Sequence, residues 1–247
     1  MANGNVAPVV GLIMDGNSRW AQARGRTASF GHKAGAEAFK RAIEAAKKQG
    51  IPAVVAYAFS SENWNRPKHE VSFLMGLAER YFKEFADEAV NNDIRIRIVG
   101  DHADVRIPQR LRMVIEQIEG RTMLCGSMDV FIAFNYSWEQ DLAHMARSIA
   151  ASVELDQLKA SDVSPKVALR HLLSKEVPQI DLLIRTSGEQ RLSGFFPAQT
   201  AYAEFVSLEM HWPQFDEAAF LEVLQMYRTR ERRFGGRPHT EELVAAE

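Results

Sequence analysis

The constraint that decides what this chain can become is the repeated exchange of two hydrophobic periods along it. Val9-Val10-Gly11-Leu12-Ile13-Met14 is continuously apolar and ends at Asp15-Gly16-Asn17, the pattern of a buried strand closed by a turn. From Lys33 to Gln49 the residues Ala36, Phe39, Ala42, Ile43 and Ala46 keep helical spacing, and Gly50 with Pro52 supplies a stop. Ala53 to Phe59 reads as a second strand, and Val71 to Val90 as a helix with Leu74, Leu77, Ala78, Tyr81 and Phe85 on one face. Spacing alone leaves that stripe as either core or the wall of a ligand tunnel. Arg95 to Val99 alternates strictly, predicting a strand with one polar face, and a helix is expected from Pro108 to Glu119. Met128 to Phe134 continues as strand, followed by helices over Glu139 to Val153 and Pro165 to Lys175. Strands at Ile180 to Ile184 and Ala203 to Leu208 precede a final helix from Glu217 to Arg233. Such a succession buries both faces of its strands when helices cover both sides of a mostly parallel sheet, so the expected class is α/β. No linker, low-complexity run or internal repeat divides residues 1–247, and the expectation is one domain with short flexible termini.

In open sheets of this kind ligands collect beyond the carboxyl ends of the strands. Three polar clusters fall there: Asp15-Gly16-Asn17-Ser18-Arg19, Ser60-Ser61-Glu62-Asn63-Trp64-Asn65-Arg66, and Arg185-Thr186-Ser187-Gly188-Glu189-Gln190-Arg191-Leu192-Ser193. Gly16, Asn17 and Ser18 suit a backbone nest, and Arg19, Arg66, Arg185 and Arg191 suit bidentate contacts to phosphate. The competing reading of each cluster is a plain turn whose arginines sit in water or pair with nearby glutamates. His32, expected near the start of a helix, is a surface or capping residue or a proton carrier facing the same rim. The arginines at 228, 230, 232 and 233 read as a solvated helix end, with an interface or anion site as the other reading.

Other chemistries are excluded by what the chain lacks. A net charge of -2 gives no global cationic field, so a nucleic-acid wrapper is disfavoured and any anion site is local. No G-x-x-x-x-G-K-[ST], post-strand G-x-G-x-x-G, G-x-S-x-G or H-E-x-x-H pattern occurs, and the seven histidines lack paired zinc spacing. The single cysteine, Cys125, forms no intrachain disulfide, and neither a signal peptide nor an apolar run of spanning length is found. The cytoplasm is the expected compartment, with no integral membrane segment.

Taken in order, the clusters resemble the motifs of the cis-prenyltransferase family. Met14-Asp15-Gly16-Asn17-x-Arg19-Trp20, Gly31-His32-Lys33-Ala34-Gly35, Tyr57 through Arg66, Ile184 through Ser193, and Ala201-Tyr202-Ala203-Glu204 carry the resemblance over nearly the whole chain. Arg232-Arg233-Phe234-Gly235-Gly236 resembles the family's C-terminal motif, which in homodimers helps bind diphosphate across the subunit interface. The resemblance implies a homodimeric enzyme in which Mg²⁺ assists loss of diphosphate from an allylic substrate while a second prenyl diphosphate attacks. It implies that Asp15 and Glu204 hold metal, that Gly16, Asn17, Arg19, Trp20 and Ser60 bind substrate, with Arg19 and His32 at the allylic site, and that Arg185, Arg191 and Ser193 bind the second diphosphate. Asn63, Trp64 and Arg66 match the mobile catalytic loop.

Three departures surround the reacting groups. The family's arginine four residues before the Gly-His histidine is Ala28, with Arg26 nearest. After Asn135-Tyr136 the usual Gly-Gly-Arg is Ser137-Trp138-Glu139, and after Ser193 the usual Asn-Phe-Leu-Leu-Trp is Gly194-Phe195-Phe196-Pro197-Ala198. From these the expectation is irregular, head-to-middle coupling of two five-carbon units, of lavandulyl or cyclolavandulyl type, from dimethylallyl diphosphate. The alternatives are a regular cis-polyprenyl synthase using isopentenyl diphosphate, and a non-catalytic partner subunit of the same fold.

Overall fold

The computed structural model describes residues 8–230. Six strands, β1 (Val10–Ile13), β2 (Ala53–Ser60), β3 (Ile94–Val99), β4 (Met128–Tyr136), β5 (Leu182–Thr186) and β6 (Glu204–Leu208), pair in parallel in the order β3-β4-β2-β1-β5-β6. Eight helices join them: α1 (Asn17–Gln22), α2 (Ala28–Lys48), α3 (Lys68–Asn91), α4 (Gln109–Thr122), α5 (Trp138–Glu154), α6 (Pro165–Arg170), α7 (Pro197–Thr200) and α8 (Glu217–Thr229). The expected α/β class and parallel sheet hold. Because β1 has β2 on one side and β5 on the other, the winding reverses there, and a crevice opens beyond the carboxyl ends of β1 and β5.

The two faces of the sheet are covered unequally. Val10 and Leu12 of β1, alternating with Gly11 and Ile13, join the larger core under α2, α3, α4 and α8. Ile13, Val55, Phe131, Leu183, Phe195 and Phe196 form a thinner second core on the other face. A Cβ on Gly11 would stand 2.8 Å from Leu183 and 3.1 Å from Phe195, so the absence of a side chain there lets this second layer close.

Several boundaries differ from those expected. α2 begins at Ala28 rather than Lys33, with Thr27 extended at its cap, because buried Gly31 and Gly35 pack this extra turn against α1. β5 runs from Leu182 to Thr186, which makes Arg185 and Thr186 buried strand residues instead of loop residues. α6 stops at Arg170, short of Lys175, since Leu172 and Ser174 turn inward to full burial. α8 ends at Thr229, where Arg230 turns extended and meets Glu204 at 2.6 Å; the predicted helix end at Arg233 lies outside the described residues. None of the described helices is long and apolar enough to cross a membrane.

The inward turn after α6 is fixed by a buried carboxylate. Asp141, with no exposure, accepts from Ser174 Oγ at 2.5 Å, Tyr136 Oη at 3.1 Å and Ser174 N at 3.3 Å, while Gln199 donates to Ser174 O at 3.1 Å. The network ties the end of β4 to α5, to the turn after α6 and to α7. Stripping a buried acceptor leaves its donors unsolvated, at about 1–3 kcal/mol. Asp141→Ala is therefore expected to lower unfolding stability by about 2–3 kcal/mol, read as a fall in the urea midpoint; an unchanged midpoint contradicts this role for the network.

Candidate active site

At the crevice beyond β1 the chain turns on Asp15, and both its backbone and its carboxylate are held. Thr186 Oγ1 donates to Asp15 O at 2.7 Å and Trp212 N to the same oxygen at 3.0 Å. Asp15 Oδ1 accepts from Gly16 N at 2.7 Å and Arg19 Nη2 at 3.0 Å, and Oδ2 accepts from Arg185 Nη2 at 2.9 Å. The Arg185 side chain is only 4% exposed, and its Nη1 donates to Ser193 Oγ at 3.1 Å and to Arg191 O. Glu189 bridges Arg19 at 3.0 Å and Arg191 at 2.5 Å. Asp15, Arg19, Arg185, Arg191 and Ser193 thus come together as one cluster, and two carboxylates hold three guanidiniums ready for an incoming anion. Burial raises the Asp15 pKa, but hydrogen bonds and charge from Arg185 and Arg19 outweigh it, leaving the carboxyl below its ordinary range and ionised.

Two tight approaches explain the small residues of the motifs. Gly16 has φ +97°, and a Cβ there would sit 1.9 Å from Ser187 Oγ and 2.7 Å from His211 Nδ1, a pair joined at 2.6 Å. Cβ atoms on Gly31 and Gly35 would lie 2.0 Å from Asn17 O and 2.1 Å from Asn17 Oδ1. Two glycine positions one turn apart on α2 therefore seat Asn17, whose Nδ2 donates to Met14 O at 3.2 Å.

His32, one position beyond Gly31, reaches Glu70 Oε1 at 3.2 Å, and Arg66 reaches the same oxygen at 3.0 Å. Glu70 thereby binds the loop after β2 to α2. Burial, with the Arg66 charge, lowers the His32 pKa against the opposing pull of Glu70, so the ring is neutral near pH 7. Ser60 and Asn63 close a reciprocal cap around the Ser61–Asn65 turn, with Asn63 Oδ1 accepting from Ser60 N at 3.1 Å.

Met14, Asn17, His32 and Ala58 lie on a cavity of about 150 Å³, whose walls continue along α2 and α3 to Tyr81, Phe82 and Phe85. The Leu74, Leu77, Tyr81 and Phe85 stripe thus lines a tunnel as well as closing the core. Met14 and Asn17 of its lining flank Asp15 in the chain, so an apolar bore begins within a residue or two of the ionic cluster, an arrangement that suits an amphiphile with an anionic head.

Other predicted residues lie apart. Trp20 stacks on Phe30 at 5.6 Å and carries Arg24 at 4.3 Å, bracing α1 on α2. Arg26 lies over Phe30 at 5.5 Å and does not take the place of an arginine at Ala28. Glu204 opens β6 level with Leu182, three strand residues before the Ile13 and Arg185 level, roughly 10 Å at about 3.3 Å per residue. Within one chain it joins Arg230, not Asp15. Arg232-Arg233-Phe234-Gly235-Gly236 lies outside the described residues. The two altered segments touch: a Cβ on Gly194 would stand 3.7 Å from Trp138.

Sequence reasoning passed over Glu70, Glu189, Thr186 and Asn135 as working residues. Arg66 and Glu70 are four apart at the start of α3, a legible helical pair. Thr186 and Asn135 act through contacts far apart in the chain and carry no local signal.

A family model described as putative undecaprenyl diphosphate synthase matches residues 13–235. A ditrans,polycis-undecaprenyl-diphosphate synthase ((2E,6E)-farnesyl-diphosphate specific) of Haemophilus ducreyi is 41% identical over 232 residues, 94% of this chain and 95% of that protein. An isoprenyl transferase of Brucella abortus is 40% identical over 227 residues, 92% and 89% of the two chains. Among solved structures, lavandulyl diphosphate synthase from Lavandula x intermedia, in complex with dimethylallyl diphosphate, superposes with TM-score 0.88 at 36% identity, covering 92% of this chain and 98% of that one. A probable undecaprenyl diphosphate synthase from Campylobacter jejuni gives TM-score 0.76 at 26% identity, covering 94% and 99%.

The shared Glu70 oxygen makes the His32 titration a direct readout of the site. By NMR its midpoint is expected below 6.5; Glu70→Gln, which removes the anion favouring imidazolium, lowers it further, and Arg66→Ala raises it. Opposite shifts contradict the arrangement.

Proposed function

This chain belongs to the undecaprenyl diphosphate synthase family of prenyltransferases, and we propose that it extends an allylic prenyl diphosphate with isopentenyl diphosphate by regular cis coupling. The observation that carries this reading is the tunnel. Its wall on α3 runs from Leu74 to Phe85, roughly 16 Å at about 1.5 Å per residue, whereas a five-carbon unit spans four bonds of about 1.5 Å each. A longer allylic tail fills that length. The Haemophilus ducreyi relative, named as an undecaprenyl-diphosphate synthase and 41% identical over 95% of its length, supports the same choice.

The residues divide the work by charge. In this reading Arg19, two residues beyond Asn17 of the tunnel lining, serves the allylic diphosphate, and Arg185, Arg191 and Ser193 serve the second diphosphate. As the allylic carbon–oxygen bond breaks, the alkene of the second substrate attacks that carbon, and the adduct then loses a proton. Donors fixed in a water-poor crevice stabilise the departing charge far better than the same groups in water. No group of three or more His, Cys, Asp or Glu side chains capable of holding a metal occurs among the described residues. The ionised Asp15 carboxylate at a diphosphate site suits Mg²⁺, which commonly takes one or two protein carboxylates together with substrate phosphates. Bound there, Mg²⁺ would neutralise developing charge on the leaving diphosphate. Glu204 would join such a site only from outside its own chain.

A homodimer is part of this reading. α5 has a single buried residue, Asp141, and leaves Leu142, Met145 and Ile149 along one incompletely covered face. A cytoplasmic location also belongs to it. The second reading is head-to-middle coupling, favoured by the resemblance to the lavandulyl enzyme and by the altered Trp138–Gly194 contact beside Ser193.

Mass spectrometry separates the readings. Farnesyl plus isopentenyl diphosphate with Mg²⁺ is expected to give extended linear products, and dimethylallyl diphosphate alone to give none; a branched ten-carbon product from the latter reverses the choice. Asp15→Asn is expected to lower turnover about 100–1,000-fold in a folded protein, and unchanged turnover removes Asp15 from the reaction. Leu142→Arg is expected to shift sedimentation from dimer toward monomer; an unchanged dimer places the interface elsewhere.

A further inference from the structure

The loop carrying Asn63, Trp64 and Arg66 is held by residues outside the motifs of the first two strand ends. Trp64 Nε1 donates to Asn135 Oδ1 at 2.7 Å, the Arg106 guanidinium lies 4.5 Å over the indole, and Phe59 meets its edge at 5.2 Å. The indole is gripped from three directions. Asn135 is fully buried at φ +52°, and its Nδ2 donates to Asp101 O at 2.8 Å and to Asp104 Oδ2 at 3.2 Å. An indole nitrogen only donates and those oxygens only accept, so the amide has one consistent orientation. Asp104 in turn aligns Arg106 through Nε at 3.0 Å and Nη2 at 2.6 Å, and the arginine holds that carboxyl down to about 2.

The chain thus runs from β4 through Asn135, Asp104 and Arg106 to Trp64, and from the loop through Arg66 and Glu70 to His32 at the tunnel. Beside the indole lies a groove of about 440 Å³ lined by Trp64, Arg106, Val71, Met75, Gly76 and Pro108, with no side chain from Gly76 entering it. The ring therefore has adjacent space into which it can swing when its contacts release.

We propose that Asn135, Asp104 and Arg106 form a latch that docks the Trp64 loop over the tunnel mouth, making Arg106 a positioning residue for Asn63 and Arg66. The kinetic part of this inference rests on the proposed prenyl transfer; the docking part does not. Arg106 is half exposed, so its loss tests the latch without emptying the core.

In the full chain, quenching of Trp64 fluorescence by acrylamide, isolated by subtracting a Trp64→Phe protein, is expected to rise several-fold in Arg106→Ala while the melting temperature stays within a few degrees. Arg106→Lys keeps charge but not the planar stack, and is expected to recover part of the protection. With farnesyl and isopentenyl diphosphates, Arg106→Ala is expected to lose about tenfold in kcat/KM, a barrier change of about 1.4 kcal/mol. Combined with Trp64→Phe it is expected to lose little more than Trp64→Phe alone, because both act through one contact. Unchanged quenching in Arg106→Ala overturns the latch, and increased quenching with unchanged kcat/KM overturns its positioning role. If neither protein turns over any prenyl diphosphate, the proposed function fails while the quenching result still decides the docking.

Discussion

The arrangement depends on one buried contact, the Arg185 guanidinium against the Asp15 carboxylate at 2.9 Å, where the winding of the sheet reverses. An arginine 4% exposed survives only if its lost hydration is replaced by a counter-charge and further acceptors. Asp15, Ser193 and the carbonyl of Arg191 are those acceptors, and each comes from a turn that follows β1 or β5. Burial of a single cation thus obliges two loops nearly 180 residues apart to meet. Thr186 and Trp212 complete the fixture by holding the Asp15 backbone while its carboxylate is engaged.

That fixture also determines how the pocket meets an anion. A pair sealed on both sides would be a structural ion pair with little chemical use. Here the Asp15 side chain is 29% exposed and Arg191 is 64% exposed, so one edge of the buried pair continues into solvent-accessible charge. Glu189 occupies Arg19 and Arg191 without neutralising all three guanidiniums. A diphosphate arriving at this edge finds donors already oriented and needs only to exchange with weakly held carboxylates. Surface pairs of this sort are worth about 0–1 kcal/mol, which is small beside the attraction of a multiply charged head group.

Much of the framework was legible because it is local. The apolar run ending at Asp15 and the helical stripe on α3 are read from neighbouring residues, and both elements form close to the expected positions. Boundaries failed where tertiary contact overrode the local pattern: Gly31 and Gly35 admit an extra helical turn because Asn17 lies against them, and Ser174 ends α6 because Asp141 draws it inward. The residues alone point to Arg19, Arg66, Arg185 and Arg191 as phosphate binders at strand ends; the resemblance to a known family adds Asp15 as a metal ligand and Ser193 as a binder of the second diphosphate. Whether the α3 stripe was core or tunnel turned on how far α2 stands from α3, a distance no periodicity encodes. Glu204 shows the opposite limit: the expected strand from Ala203 to Leu208 already sets it at the start of β6, yet its motif position says nothing of how far that start lies from Asp15.

The two segments that depart from the family pattern lie against a packed aromatic block. Trp138 lies near Gly194, and the following Phe195 and Phe196 pack at 5.3 Å on Tyr57 and 4.2 Å on Tyr136. Phe196 adopts φ +40°, a conformation that costs a bulky residue free energy and persists only when packing over-determines it. The aromatic block meets that condition, because Tyr57 also donates to Tyr136 O at 3.1 Å and Tyr136 is anchored to Asp141. The Ser137-Trp138-Glu139 segment therefore follows an aromatic block that fixes the backbone just after Ser193. Rigid walls discriminate between ligands by shape, and here the wall follows the residue that Arg185 orients, so a change of aromatic volume reaches the ionic cluster through one short stretch of chain.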